Sequence, residues 1–312
     1  MSAMNILCVG LTPALQEIRQ FTRFVPGAVN RATAVTHSAA GKGVNTARIL
    51  HTLGAPALAT GFLGGDTGRL ILDSLRRWGV RHDFVRVPER TRVCVTVLDA
   101  ATGQTTELVE EARQPRRPAW RAFERCYVRH CRHAALVVLS GALMPGAPVT
   151  TYRRLVKLAG SVPVIIDSQK EPLRRVLPLR PFIAKLNVHE LENTLGRPLR
   201  AEPAILRGAC ELLAAGAQHV VLTHGAAGAW LVTPTGTWHY RPPRIRAVNP
   251  IGSGDAVTAG IAFGLWKNRP LVEAVRLGVA CGTANALTQE VGDVRVADVR
   301  RLVPRVRAKM VP

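Results

Sequence analysis

Residues 247–265 read AVNPIGSGDAVTAGIAFGL and join a glycine-rich loop to a run of small residues with helical character. Gly252, Ser253 and Gly254 end the loop, where backbone conformations open mainly to glycine direct N–H groups at one point. The positive N-terminal end of the following helix would add to this attraction for an anion. Asp255 comes next. Because a carboxylate repels bound phosphate, we expect Asp255 to take a proton from a hydroxyl, as in phosphoryl transfer.

Apolar runs alternate with helical patterns along the rest of the chain. Runs typical of strands that are buried on both faces occur at residues 6–10, 135–140, 164–167 and 219–223. They favour an α/β fold with a mainly parallel sheet covered by helices. Another helix is expected directly after Gly41, Lys42 and Gly43, with Gly54 as its C-terminal stop. This glycine–lysine–glycine motif is therefore expected at a helix N-terminus.

Two segments, at about 11–38 and 91–110, interrupt the alternation. In the second, Val93, Val95 and Val97 alternate with other residues before a turn near Gly103, which predicts a β-hairpin. We expect both segments to form a small β layer over one edge of the main domain. The predicted organisation is a single domain, 1–312, with this layer as a lid.

The composition is that of a globular chain without a membrane partner. Its 312 residues include no uninterrupted apolar run near the roughly 18 residues of a membrane span. The start of the chain has no basic leader, and its apolar run at 6–9 is too short for a signal sequence. We therefore expect a cytoplasmic protein.

The net charge of +21 favours anionic partners. Nucleic acid is one candidate, but the arginines are spread over most of the chain without a basic tail or a repeated basic-aromatic module. Nucleic-acid binding is therefore not expected, and a non-catalytic nucleic-acid-binding regulator is the least favoured alternative.

The six cysteines include no CxxC pair, which favours unpaired, buried thiols. Cys126, His130, Cys131 and His133 form a cluster of metal-binding residue types. Its spacing matches none of the common zinc patterns, so an amphipathic helix is the favoured interpretation.

Two further motifs each keep two interpretations. Residues 223–228, THGAAG, follow a predicted strand and precede the apolar run AWLV, so their glycines serve a hairpin turn or a nucleotide contact. Asn187 and Glu190 lie one turn apart near a helix start, where they cap the helix or support Mg²⁺ through water.

Taken in chain order, these segments resemble the PfkB carbohydrate kinase family of the ribokinase-like superfamily. Six segments carry the resemblance: AGKGVNTARIL at 40–50, LSGALMPG at 139–146, IIDS at 165–168, AKLNVHELE at 184–192, LTHGAAGAW at 222–230 and NPIGSGDAVTAG at 249–260. GAVNRA at 27–32 and Thr91-Arg92 are most similar to the branch of tagatose-6-phosphate kinase and 1-phosphofructokinase. The resemblance implies a three-layer α/β/α sandwich with a mainly parallel central sheet and a small β-sheet lid.

The resemblance also implies a role for individual residues. Asp255 would be the catalytic base, and the N–H groups of Gly252, Ser253 and Gly254 would stabilise charge on the transferred phosphoryl group. The acceptor would be held by Gln16, Gly41, Lys42, Gly43, Asn45 and Arg92, with Arg92 and Lys42 facing its phosphate. ATP would contact Asn187, Thr223, Gly225 and Gly228, and Glu190 would hold Mg²⁺ through water.

Two departures from the branch affect the acceptor site. Gln16 stands where the branch usually has an aspartate that binds sugar hydroxyls, so the preferred hydroxyl pattern is expected to differ. Glu107, Glu110 and Glu111 lie in the predicted lid, where a carboxylate that faced the acceptor would repel a phosphate.

The sequence thus predicts ATP- and Mg²⁺-dependent phosphorylation of a hexose phosphate, of the 1-phosphofructokinase, tagatose-6-phosphate kinase or 6-phosphofructokinase type. A kinase of an unphosphorylated sugar or nucleoside is the alternative. The resemblance further implies a homodimer formed through the lid, with the exposed face of strand 93–98 as the contact.

Overall fold

The computed structural model describes residues 4–311, so residues 1–3 and 312 of the predicted domain lie outside the described residues. Fifteen strands occur in this range: β1 Asn5–Gly10, β2 Ala14–Phe21, β3 Ala34–Ala40, β4 Ala57–Gly64, β5 Arg81–His82, β6 Val85–Val87, β7 Val93–Asp99, β8 Thr105–Val109, β9 Ala134–Ser140, β10 Val164–Asp167, β11 Ile183–Asn187, β12 His219–Thr223, β13 Ala229–Thr233, β14 Gly236–Arg241 and β15 Arg307–Val311. The same range holds ten α-helices: α1 Lys42–Thr52, α2 Gly65–Arg77, α3 Arg117–Cys131, α4 Thr151–Ala159, α5 Lys170–Arg174, α6 Val188–Leu195, α7 Glu202–Ala214, α8 Ser253–Trp266, α9 Leu271–Asn285 and α10 Val296–Leu302.

Eleven of these strands form the central sheet. Its order is β15-β14-β13-β12-β11-β10-β9-β1-β4-β5, and β6 also pairs with β4. Neighbouring strands are parallel from β12 across β11, β10, β9, β1 and β4 to β5. On the other side of β12, the neighbouring strands β13, β14 and β15 are antiparallel. The strands predicted from apolar runs are β1, β9, β10 and β12, all in the parallel part. The prediction of a mainly parallel sheet is confirmed.

Helices cover both faces of the central sheet, because its strands send alternate side chains into two cores. Ile6 and Cys8 of β1 face the core that lies under α1, α2, α8, α9 and α10. Leu7 and Val9 face the other core, under α3, α4, α5, α6 and α7. Successive side chains of a strand point to opposite faces, so a strand that is apolar throughout needs cover on both sides. The predicted three-layer α/β/α sandwich is confirmed.

Helix α1 holds the glycine–lysine–glycine motif against β1. Gly41 precedes the helix with a φ of 107°, a conformation that favours glycine. A Cβ at Gly43 would lie 2.6 Å from the Gly10 nitrogen, so glycine is what lets α1 approach the backbone of β1. Gly54 follows the helix with a φ of 86°, as expected for a C-terminal stop.

Four strands form a second, small sheet in the order β3-β2-β7-β8. Its β7–β8 pair is the predicted hairpin, with Gly103 in the turn. The other predicted segment supplies β2 and β3, and β2 runs parallel to β7. The two interrupting segments therefore combine into one small β layer, as predicted.

Helices α8 and α9 pack tightly because small residues meet between them. A Cβ at Gly260 on α8 would lie 2.7 Å from the Cα of Gly278 on α9. The contact fixes the direction of α8 and with it the position of the loop that precedes Ser253.

Two further observations concern composition. Across residues 4–311, no helix combines the length and the apolar character that crossing a membrane requires. All six cysteines are unpaired, and five of them are buried as predicted, whereas Cys210 is exposed.

Candidate active site

A cavity of about 870 Å³ lies where α8 begins, next to the ends of β11 and β12 and beside the small sheet. Nearly every predicted site residue lines it: Gln16, Gly41, Lys42, Asn45, Arg92, Asn187, Glu190, Thr223, Gly225, Gly228, Gly252, Ser253, Gly254 and Asp255. Gly43 is the exception, because it packs against β1. The fold brings residues from distant parts of the sequence to one place.

The loop before α8 is held rigidly in a shape that suits an anion. Gly252 caps the helix with a φ of 81°, and a Cβ there would lie 2.9 Å from Val291 Cγ1. The Asn285 amide donates to the Ile251 carbonyl (2.8 Å) and to Ser253 Oγ (3.3 Å). Among the described residues, the N–H groups of Gly252, Gly254 and Asp255 have no partner. Three unpartnered donors at a helix N-terminus are an arrangement that suits the binding of an anion.

Ser253 differs from the prediction in one respect. Its N–H donates to the Pro250 carbonyl at 3.2 Å, across the turn that builds the loop. The Ser253 N–H is therefore engaged in the turn, and the N–H of Asp255 takes its place in the set of three. A glycine-rich loop in the sequence does not reveal which N–H groups its own turn uses.

Asp255 lies on the first turn of α8 and is 6% exposed. Asn45 Nδ2 donates to Asp255 Oδ2 at 2.7 Å, which fixes the carboxylate and leaves Oδ1 for a ligand. Burial raises the pKa of Asp255 to about 6, and the negative charge of Asp167 adds to the rise, against the opposing effects of Lys42 and Asn45. A carboxyl group with this pKa is ionised at neutral pH yet basic enough to take a proton from a hydroxyl.

A buried ion network lies beneath Asp255. Lys42 Nζ donates to Asp167 Oδ1 (2.8 Å) and to Glu190 Oε1 (2.9 Å), and Lys185 Nζ donates to Asp167 Oδ2 (2.9 Å). Burial alone would raise the pKa of Asp167, but Lys185 and Lys42 overcome it and hold that pKa well below its usual range. Each buried charge thus has a partner.

Asp167 and Lys185 were not predicted as site residues. Asp167 is the last residue of β10, a position from which parallel sheets commonly present ligand-binding groups. That placement was the available signal. Lys185 lies inside β11, and a Cβ at Gly254 would be 2.9 Å from its Nζ, so its ammonium group lies over the N-terminus of α8. Its apolar neighbours Ala184 and Leu186, in the segment 184–192 that carries the family resemblance, were the available signal for a buried lysine, but the sequence does not show which carboxylate it pairs with.

Asn187 and Glu190 cap α6 and also line the cavity. Asn187 Oδ1 accepts from the Glu190 N–H (2.7 Å), and Glu190 Oε2 accepts from the Asn187 N–H (2.8 Å). Both oxygens of Glu190 therefore already accept a protein donor, Oε1 from Lys42. Each carboxylate oxygen has a further lone pair, which a water bound to Mg²⁺ can donate to. The residues fit a Mg²⁺ ion held through water.

The β12–β13 connection forms another wall of the cavity. Thr223 ends β12, and Gly225 and Gly228 take φ values of 51° and 105°. A Cβ at Gly228 would collide with the Tyr240 carbonyl oxygen, so glycine is required there. The segment is the predicted hairpin turn between β12 and β13, and it also lines the cavity. Apolar side chains that the sequence analysis did not single out complete this half: Val257, Val279 and Ala286. They suit a flat base better than a sugar.

The opposite half of the cavity lies against the small sheet. Arg92 donates through Nε (3.2 Å) and Nη2 (3.0 Å) to the Thr12 carbonyl, and through Nη1 (3.2 Å) to the Glu110 carbonyl. Two of its five N–H groups are left for a ligand. Gln16 is buried next to Cys94, and Glu107 lines the same half.

A second cluster of metal-binding residue types lies outside this cavity. Cys126 and His130 are one turn apart on α3, the predicted amphipathic helix, and Asp83 lies next to them. His130 Nε2 is 2.7 Å from Asp83 Oδ2, which also pairs with Arg129. Burial raises the pKa of the Cys126 thiol and so keeps it protonated. The contacts tie α3 to the residue that follows β5.

A model of the pfkB family of carbohydrate kinases matches residues 4–295. The chain belongs to this family. It is 31% identical over 304 residues to the 1-phosphofructokinase of Bacillus subtilis (strain 168), covering 97% of this chain and 98% of that protein. The family predicted from the six segments is confirmed, and with it an ATP-dependent sugar kinase.

Solved structures agree with this assignment. Phosphofructokinase-2 from Escherichia coli in complex with potassium superposes with a TM-score of 0.89 at 26% identity, covering 97% of this chain and 99% of that one. A ribokinase from Arabidopsis thaliana complexed with ribose and ATP superposes with a TM-score of 0.77 at 22% identity, over 96% and 99%. The ribokinase-like fold is confirmed.

Proposed function

We propose that this pfkB-family kinase transfers the γ-phosphoryl group of ATP to a hydroxyl of a hexose phosphate. The observation that carries the proposal is one cavity with Arg92 and Asp255 in it, a guanidinium with two N–H groups for an anion and a base with a pKa of about 6. The B. subtilis relative is named 1-phosphofructokinase, which favours the same class of acceptor.

In the proposed mechanism, Asp255 Oδ1 accepts the proton of the acceptor hydroxyl as its oxygen attacks the γ-phosphorus. The bond between that phosphorus and the β–γ bridging oxygen breaks, and ADP leaves. The N–H groups of Gly252, Gly254 and Asp255 stabilise the charge on the transferred group, with Lys185 next to them. Asn45 keeps Asp255 in position during the step.

Lys42 has a different part in this mechanism. Two of the three donors of its ammonium group bond to Asp167 and Glu190, and the third remains for a phosphate oxygen. We propose that Glu190 holds Mg²⁺ through water at this place. When bound, the ion neutralises the phosphate oxygens of ATP.

We propose that the small sheet is a lid within a single domain and also the contact of a homodimer. Apolar side chains on its two edge strands are about half exposed: Val35 on β3, and Leu108 and Val109 on β8. Strand 93–98 is mostly buried or half-buried, so we place the contact on the edges rather than on that strand. Light scattering of the wild-type protein and of Leu108→Lys tests it, and a monomeric wild type would refute it.

The acceptor class is tested by steady-state turnover with fructose 1-phosphate, fructose 6-phosphate, tagatose 6-phosphate, free hexoses and nucleosides. Turnover is expected with a hexose phosphate, and Arg92→Leu is expected to raise its KM about tenfold or more while leaving the KM for ATP nearly unchanged. Arg90→Leu is the matched control, because Arg90 pairs with Glu110 and does not line this cavity.

Turnover restricted to a free sugar or a nucleoside would refute the proposal in favour of an unphosphorylated acceptor. An Arg92→Leu enzyme with an unchanged KM for the hexose phosphate would remove Arg92 from phosphate binding. No turnover together with salt-sensitive DNA binding would instead favour the regulator.

A further inference from the structure

The half of the cavity that lies against the small sheet, where the acceptor sugar is proposed to bind, has few hydrogen-bond acceptors. Gln16 is 2% exposed, and its Nε2 donates to the Cys94 carbonyl (3.1 Å) and to Thr96 Oγ1 (2.8 Å). Both amide hydrogens are therefore used, and Oε1 is the part of the amide left for a ligand. Lys42 and Arg92 can only donate, Asp255 is committed to the hydroxyl that reacts, and Asn45 Oδ1 is the other side-chain acceptor here that has no partner among the described residues.

A hexose brings several hydroxyl groups, each a donor that loses its water on entering the cavity. A buried hydroxyl without an acceptor costs free energy, and Gln16 Oε1 and Asn45 Oδ1 are two acceptors for a sugar with more hydroxyls than that, so a further acceptor next to Gln16 would stabilise the bound sugar.

Glu107 is placed to supply that acceptor. It lies on β8 directly opposite Thr96, the residue that bonds Gln16, and paired residues of neighbouring strands share a face. Its side chain lines the cavity, and among the described residues it has no hydrogen bond or ion pair. The neighbouring lid glutamates differ, since Glu110 accepts from the Val93 N–H (2.8 Å) and Glu111 does not line the cavity.

Glu107 lies near Arg92 in the same site. The residue is exposed at the surface of β8, its partial burial against the cavity wall raises the pKa of its carboxyl group, and the nearby positive charge of Arg92 opposes that rise. The two side chains thus form a positive and a negative point on one wall. A hexose phosphate has matching groups, a dianionic phosphate for the guanidinium and hydroxyl donors for the carboxylate.

We propose that Glu107 is a specificity-determining residue, whose carboxylate accepts hydrogen bonds from hydroxyls of the acceptor sugar beside Gln16 while Arg92 binds the phosphate. This rests on the proposed function for the identity of the acceptor. If Glu107 only repelled the phosphate, removing its charge would strengthen binding of the acceptor. The proposal predicts the reverse, namely that removing the charge weakens binding of the acceptor.

The test compares Glu107→Gln with Glu111→Gln, a matched change on the same segment outside the cavity. We expect Glu107→Gln to raise the acceptor KM severalfold, because an amide oxygen accepts a hydrogen bond more weakly than a charged carboxylate, with the KM for ATP and the Tm near wild type. Isothermal titration with the acceptor alone should show the same loss of affinity. Glu107→Asp should recover part of it, and Glu111→Gln should match the wild type.

The sign of the change decides the inference. An unchanged acceptor KM, or a lower one, in Glu107→Gln would overturn it, the lower value indicating that the carboxylate repels the phosphate. The comparison is made on whichever sugar the wild-type enzyme phosphorylates best. If only a free hexose is turned over, the proposed function, a hexose phosphate as the acceptor, is refuted. The effect of Glu107→Gln on the KM for that free hexose still decides the role of Glu107.

Discussion

At the scale of single residues, the environment of Asp255 sets the pH dependence of the reaction. Its folded pKa of about 6 means that the group becomes protonated, and unable to act as a base, as the pH falls through 6. We expect kcat/KM to fall about tenfold for each pH unit below this value. The profile is measured at substrate concentrations well below KM, because kcat/KM reports the pKa of the free enzyme. A kcat/KM that stays constant down to about pH 5 would contradict the role of Asp255.

The same raised pKa predicts a cost in stability. A carboxyl group whose pKa rises from 3.8 to about 6 on folding opposes folding when it is ionised, so the cost is present above pH 6 and vanishes below the unfolded value. Asp255→Asn is therefore expected to raise the Tm at about pH 8 and to change it little at about pH 4. Thermal unfolding at the two pH values checks this. A lower Tm at the higher pH would show that the ionised carboxylate stabilises the fold.

At the scale of elements, the loop before α8 depends on glycine for two separate reasons. Gly252 has a φ of 81°, and a Cβ there would press on Val291 and on the Gly292 nitrogen. Gly252→Ala is expected to cost about 1–3 kcal/mol of unfolding free energy and to lower kcat more than tenfold, because the N–H groups are displaced.

The control for this variant is Gly54→Ala. Gly54 has a φ of 86°, but nothing lies within 4 Å of a Cβ there, and it follows the far end of α1. Chemical denaturation should show strain in both variants, whereas kcat should fall in Gly252→Ala alone. Equal kcat values in the two variants would indicate that the shape of the loop does not matter for the reaction.

The elements were predictable from sequence where local pattern determines them. The runs that became β1, β9, β10 and β12 are apolar at nearly every position, and a hairpin was visible in 91–110 because its valines alternate. The antiparallel strands β14 and β15 were not predicted. They pair at one edge of the sheet over a long separation in sequence, and this pairing leaves no local periodicity.

The site was predictable in its motifs and not in its long-range partners. Gly252, Gly254 and Asp255 share one short motif, so the sequence indicates their chemistry. Asp167 and Lys185 meet only because β10 and β11 pair side by side, and Glu107 reaches the cavity only through the register of β7 and β8. Such contacts depend on strand register and helix position, which no single motif encodes.

At the scale of the whole molecule, the net charge of +21 acts on substrates that are themselves anions. A field of this sign attracts ATP and a sugar phosphate over distances of about one Debye length, roughly 10 Å at 0.1 M salt. We expect the KM of both substrates to rise severalfold between about 0.05 M and 0.5 M salt, with kcat nearly constant. Initial rates in a series of KCl and of tetramethylammonium chloride concentrations check this and separate ionic strength from a specific ion effect. KM values independent of salt would show that the diffuse arginines do not steer the substrates.

The central claim is that Asp255 takes the proton of a hexose phosphate hydroxyl during transfer from ATP. The most direct test is acceptor-dependent release of ADP by the wild type and by Asp255→Asn, with the dissociation constants of ATP and of the acceptor measured on the same preparations. The account predicts that kcat falls by about 10²–10⁴ in the variant while both dissociation constants stay near wild type. A variant that keeps kcat within about tenfold of the wild type would contradict it.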